Sequence, residues 1–237
     1  MALTLQAQTP APSAAPAGAG KPIRHLEYSL AVGYVTNGEG HSSGMSAGGE
    51  GGAGSGVNSG LGGGGRTGTI DADVVGFTPD GALIIGINEM LQSAPRPEER
   101  FTCTVYGDGH VMCPDVHGQL TDAENLLLSM LGRGFIDPNL TATGNHWERK
   151  YEGKDVGVVT DYTMVDPADA QVTIERRSTI TSRVHSVGDS TEEGTIVYDR
   201  TLSVPDSVHD TVTESYRNST LLSTIDLKLI SDSFAKP

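Results

Sequence analysis

Large aromatic side chains are scarce in this sequence, with one Trp, four Phe and seven Tyr among 237 residues. A core made from it is expected to draw on Val, Ile and Leu rather than on large rings. Positive charge is scarce as well: 16 Lys and Arg stand against 30 Asp and Glu, a formal net charge of −14 at pH 7. Proteins that hold a phosphate backbone concentrate Lys and Arg to displace its counterions, so this balance argues against a nucleic-acid partner. It also disfavours docking of the whole surface onto anionic lipid headgroups. Long apolar runs are missing. No stretch approaches the roughly 18 apolar residues of a membrane-spanning helix, so no integral membrane segment is expected. There is no Gly-x-Ser-x-Gly elbow, no Gly-Lys-Ser/Thr phosphate loop and no spaced Asp repeat for calcium. No catalytic set, cofactor or metal site is therefore expected.

Glycine, by contrast, is abundant. Residues 37–68 are nearly half glycine and carry no apolar period. Ordering glycine costs more backbone entropy than ordering any other residue, so this segment is expected to be a mobile loop between two strands. It contains a formal G-x-G-x-x-G at Gly63, Gly65 and Gly68. The residues that follow, "TIDADVVGF", read as a strand, whereas a dinucleotide site needs a helix there. At the start of the chain, residues 1–24 lack the basic and apolar regions of a full signal peptide. Even so, "LTLQAQ" is similar to the tail of one, with Leu5 and Ala7 before a cut near Gln8. A signal remnant and a Pro/Ala-rich extended leader are expected, followed by a single β-rich domain over 25–237.

Most of that domain alternates with period two. Leu26, Tyr28, Leu30, Val32 and Tyr34 share one face of a strand. Thr69–Phe77 and Ala82–Glu89 are joined by the turn "TPDG". The same alternation returns in Asp155–Val165, in Ala170–Val187 (Val172, Ile174, Ile180 and Val184 in phase), in Thr195–Val204 and in the closing "STIDLKLISDSF". One segment reads as helix. Thr121 with Glu124 forms a capping box, Ala123, Leu127, Leu128, Met130 and Leu131 make an apolar face, and Gly132 and Gly134 stop it. The expected fold is mainly β: a curved antiparallel sheet or incomplete β-barrel with one covering α-helix.

The two cysteines, Cys103 and Cys113, bracket Gly107-Asp108-Gly109. With those three residues as a hairpin loop, Thr104 pairs with Met112, Val105 with Val111, and the cysteines fall opposite each other. Cross-strand Cβ atoms there lie about 4.5–5.5 Å apart, within reach of a disulfide. A two-residue Asp-Gly turn would instead pair Cys103 with Pro114. Free buried thiols and a zinc site with His110 and His117 are the alternatives. The zinc reading suffers because His110 points away from the cysteines and no tight C-x-x-C pair is present. A disulfide implies an oxidising compartment.

Of seven scattered histidines (His25, His41, His110, His117, His146, His185, His209), none forms a metal motif. "HWERKY" gathers His146, Trp147, Glu148 and Arg149 into a candidate polar site. The plainer reading has Trp147 filling the core and its charged neighbours in water. Asp71 and Asp73 share a face that could take a cation or simply be solvated. Arg176 and Arg177 read as paired surface charges.

Three stretches together resemble uncharacterised secreted proteins of environmental bacteria: "GTIDADVVGFTPDGALII", "TCTVYGDGHVMC", and "LLLSMLGRGFIDPNLTATGNHW" with "GTIVYDRTLSVPDSV". More distantly, the architecture resembles the half-barrels of periplasmic lipoprotein and lipid carriers. Fold does not carry function, so the resemblance implies export and little chemistry. The expectation is a non-catalytic envelope protein, periplasmic or extracellular. It would bind an apolar small molecule, a lipid or an envelope protein in its concave sheet. A structural or adhesive protein assembling through sheet edges is the first alternative, and a hydrolase without a recognisable motif the second. A carrier requires an apolar cavity of several hundred Å3 near the helix.

Overall fold

Alternation turns most of the chain into strand. Ahead of the helix α1 (Asp122–Met130) come β1 (Arg24–Gly38), β2 (Gly64–Phe77), β3 (Leu83–Leu91), β4 (Phe101–Val105) and β5 (Val111–Met112). After it come β6 (His146–Glu152), β7 (Val156–Met164), β8 (Gln171–Ser182), β9 (Ser190–Asp199), β10 (Val204–Tyr216) and β11 (Ser219–Asp232). The computed structural model describes residues 21–38, 64–92, 100–114, 120–136, 144–154, 156–165, 170–182, 190–216 and 219–234. The expected leader and residues 39–63 of the glycine-rich segment lie outside them.

All 11 strands form one antiparallel sheet in the order β5-β4-β3-β2-β1-β11-β10-β9-β8-β7-β6. Each strand lies beside its sequence neighbour, and the pairing of β1 with β11 joins the two halves. The sheet edges are therefore β5 and β6, the strands that flank the helix in sequence. They do not pair, so the barrel stays open, as the sequence led us to expect. Period two sends Leu26, Tyr28 and Leu30 to one face, with Ala72, Ile70, Ile85, Ile87, Ile174, Ile196, Val208 and Leu227 beside them. These side chains are buried in one core with Leu127, Leu128 and Met130 of α1. Each such residue contributes roughly 1.5–3 kcal/mol relative to exposure.

The helix begins as its sequence requires. Thr121 Oγ1 accepts from the Glu124 N–H, and Glu124 Oε2 accepts from the Thr121 N–H. The Thr121 hydroxyl also donates to Glu89 of β3, which ties the first turn to the sheet. The helix ends at Gly132, whose φ of +91° suits a residue without Cβ. Beyond it, Phe135 enters the core. Arg149 of β6 closes the seam between the two sheet edges: its guanidinium donates to the carbonyls of Ser129, Gly134 and Phe135.

Two sequence expectations need correction. The glycine-rich segment is not loop throughout, because β1 runs to Gly38 and β2 begins at Gly64, with Tyr34 opposite Gly64 and Leu30 opposite Gly68. Ladder hydrogen bonds need no side chains, and β1 provides the partner backbone. Second, Thr195–Val204 is not one strand. Asp199 Oδ1 accepts from the N–H groups of Thr201 and Leu202, and this local turn separates β9 from β10. The core is built mainly of Val, Ile and Leu, as expected, and the few aromatic rings are grouped within it. Phe135 meets Trp147, Tyr162 and Tyr198 with centroids 4.9–6.0 Å apart, and Trp147 stacks on Tyr162. Scarce rings separated along the chain have converged on one point under the end of the helix.

Candidate functional site

Two clefts border α1, one just beyond its C-terminal end and one along its side. The first is apolar, with a volume of about 550 Å3. Strand ends build it: Leu26 of β1, Val74 and Phe77 of β2, Leu83 of β3, Val105 of β4 and Val204 of β10. Leu131–Gly134 after the helix and Leu202 in the β9–β10 turn complete the wall. Three apolar side chains stand exposed around it: Phe77 at 57%, Phe234 at 54% and Ile23 at 47%. Among the described residues lining it, Arg24 and Arg133 are the only charged ones. Arg24 is held by Asp232 (2.5 and 3.0 Å) and by the Leu202 carbonyl (2.8 Å). Burial pulls the Asp232 carboxyl up. The Arg24 hydrogen bonds and charge, with the Phe234 N–H, outweigh it and leave Asp232 below the ordinary value.

The second cleft is more polar, about 650 Å3, and runs along one side of α1 from Asp122 to Ser129. Asp122 and Asn125 of the helix face Thr160 and Tyr162 of β7, Arg176 of β8, Glu192 of β9 and Asp210 of β10. Arg176 is its centre. Nη1 donates to Asp210 Oδ1 at 2.8 Å and Nη2 donates to Glu192 Oε2, while Nε has no partner among the described residues. The side chains of Arg176 and Asp210 are 10% and 2% exposed. Gly194 stands directly opposite both of them on β9, and Asp210 fills the space a Cβ there would need. Burial, with Glu192 second to it in the same sense, raises the Asp210 carboxyl above its usual range despite Arg176. Burial and the charges of Glu192 and Glu214 raise Asp122. Arg176 binds both carboxylates and leaves only its Nε without a partner among the described residues, and Asp210 is held against Arg176 with 2% of its side chain exposed. The arrangement serves packing better than proton transfer.

These shifts set a pH dependence. Asp122 and Asp210, raised on folding, favour the folded state at low pH and lose that contribution as pH rises through their folded values. Asp232, lowered on folding, contributes above the ordinary Asp value of 3.8 and loses that contribution as pH falls through its own folded value. The expected result in a calorimetric pH series is a melting temperature that rises on acidification from about pH 7 toward about pH 4 and falls below it. A melting temperature that drops steadily from neutral pH downward would contradict the burial of Asp210.

The sequence candidates are distributed as follows. Cys103 and Cys113 form a disulfide, Sγ atoms 2.05 Å apart, in the expected register of Thr104 opposite Met112 and Val105 opposite Val111. His146, Trp147, Glu148 and Arg149 do not converge. Alternation along β6 leaves His146 and Glu148 exposed on one face, while Trp147 is buried and Arg149 half-buried on the other. Arg149 thus departs from the reading that put it in water. Asp73 is not simply solvated: His25 Nδ1–H donates to it at 2.7 Å and Arg100 pairs with it. Arg177 is a surface charge paired with Glu193, but Arg176 is buried. The signal for Arg176 lay in its phase, since it shares the even-numbered face of Val172 and Ile174. Of the histidines, His41, His117 and His185 lie outside the described residues; His209 donates to Asp226 at 2.6 Å. Among the described residues no group of His, Cys, Asp and Glu is arranged to hold a metal ion, and no helix is long and apolar enough to cross a membrane.

No family model matches the chain, and no curated protein matches it.

Proposed function

We propose that this chain is a non-catalytic binding protein of the bacterial envelope, exported to the periplasm or cell surface, that holds an apolar small molecule or lipid in the apolar cleft. The observation that carries this reading is the cleft itself. Its volume of about 550 Å3 falls within the ~300–1,000 Å3 of small-molecule sites. Its walls are mostly aliphatic, and the exposed Phe77, Phe234 and Ile23 around it leave apolar surface in water that a ligand would cover. The buried disulfide suits an oxidising compartment.

Native mass spectrometry of protein purified from its own host tests the reading. A co-purified apolar molecule is the expected result. The variant Phe77→Ser, altered at an exposed position, should weaken uptake of a neutral fluorescent apolar probe roughly fivefold. An empty protein that takes up no apolar probe would overturn the proposal.

A further inference from the structure

From the charges around the apolar cleft we infer that its ligand is an amphiphile with an anionic head group, a carboxylate or phosphate ester, whose head meets Arg133 while its chain lies in the cleft. The inference rests on the binding function proposed above and specifies its chemistry. In a chain of net charge −14, the residues lining this cleft include two arginines and no Asp or Glu. With Arg24 paired to Asp232, the positive charge left at the cleft is that of Arg133. Arg24 is already engaged, its guanidinium bound to Asp232 and the Leu202 carbonyl. Arg133 is exposed and has no hydrogen-bond or ion-pair partner among the described residues. Its place is fixed by its neighbour: the Gly132 N–H donates to the Ser203 carbonyl at 3.1 Å, which sets Arg133 beside the β9–β10 turn. Thr201 and Ser203 of that turn also line the cleft and add hydroxyl donors at the same end.

A helix C-terminus ordinarily repels an anion. Here that effect is reduced: of the last helix carbonyls, that of Ser129 accepts from Arg149 and that of Leu128 from the Leu131 N–H. In the segment just past the helix, Tyr198 donates to the Gly132 carbonyl at 3.0 Å and Arg149 to that of Gly134. Arg133 stands between these two glycines. A neutral oil would leave Arg133 unanswered, and a cationic amphiphile would face it directly. An anionic head forms a charge-assisted hydrogen bond with a guanidinium that is free to receive it.

The test compares three amphiphiles of one chain length below their micelle concentrations at about pH 8, where a carboxylate is ionised. Dodecanoate, dodecan-1-ol and dodecyltrimethylammonium are titrated calorimetrically into the full chain and into the Arg133→Gln variant. Dodecanoate should bind roughly five- to tenfold tighter than the alcohol at low salt, and added salt should erode the difference. In Arg133→Gln the advantage should vanish while the alcohol binds as before; dodecyl phosphate in place of dodecanoate reports whether a phosphate head serves as well. Equal affinity for all three, tighter binding of the ammonium compound, or an equal loss for acid and alcohol in the variant overturns the head-group contact and leaves the apolar site standing. Binding of none overturns both.

Discussion

Replacing Arg176 with Met is expected to cost about 3–5 kcal/mol of folding stability, the largest effect of any single substitution considered for this protein. Arg176 joins Asp210 and Glu192 across three adjacent strands, β8, β9 and β10. Met fills much of the same volume, so packing alone would change little. What it leaves is two carboxylates side by side in a site where Asp210 is almost wholly enclosed. The Asp210 carboxyl, raised by burial even with Arg176 present, loses the main interaction that holds it down. Its folded pKa then moves further above its unfolded value. Stability lost at neutral pH should therefore return as the pH falls and Asp210 binds a proton. Urea unfolding at about pH 7 and about pH 5 measures this, with the deficit of Arg176→Met smaller at the lower pH. A triple variant, Arg176→Met with Glu192→Leu and Asp210→Leu, removes all the charges together. It should recover most of the loss, because an apolar replacement of a whole buried ion cluster is often neutral or stabilising. A single Arg176→Met variant within 1 kcal/mol of wild type would show that the carboxylates are hydrated, contrary to the buried geometry.

Reduction of Cys103–Cys113 is expected to cost about 2–3 kcal/mol. The cross-link spans 10 residues of sequence, so the entropy it removes from the unfolded chain is that of a short loop. For a chain of this length the loss should lower the melting temperature by roughly 5–10 °C. Cys103 is fully buried and packs in the core, and the hairpin loop it anchors borders both clefts: Tyr106 and Gly107 line the apolar one, Asp108 and Gly109 the polar one. Reduced protein should accordingly bind apolar probe more weakly as well as melt earlier. The double variant Cys103→Ala with Cys113→Ala serves as the control, since its melting must be insensitive to reductant. Wild-type protein whose melting does not respond to a reductant able to open the bond would refute the staple.

Much of this fold could be read from residue order, for a common reason. The hairpin register, the Thr121–Glu124 capping box and the turn at Thr78–Gly81 depend on groups within a few residues of one another. Period-two alternation marked the inward faces of β1, β7, β8 and β11 because one face of the sheet is buried and the other wet. The same rule, followed strictly, would have placed Arg176 and Asp210 inside. Arg176 was misread because a charged side chain was assumed to seek water, an assumption that fails when partners on adjacent strands supply both hydrogen bonds and countercharge. Arg149 was misread for the same reason: its three carbonyl partners come from the helix end and the loop after it, not from β6.

Taken alone, the sequence determined strand content, the single capped helix and the pairing of the two cysteines, all of them consequences of local chain geometry and burial on one face. Only the tertiary structure decided that the first and last strands meet at the centre of the sheet. It alone brought Arg24 to Asp232, 208 residues away, gathered the rings around Phe135, and opened one apolar and one polar cleft beside the helix. Those features depend on which distant backbones pair and how far the sheet curls. That choice is made by the free energy of the whole buried core, and no short stretch of residues encodes it.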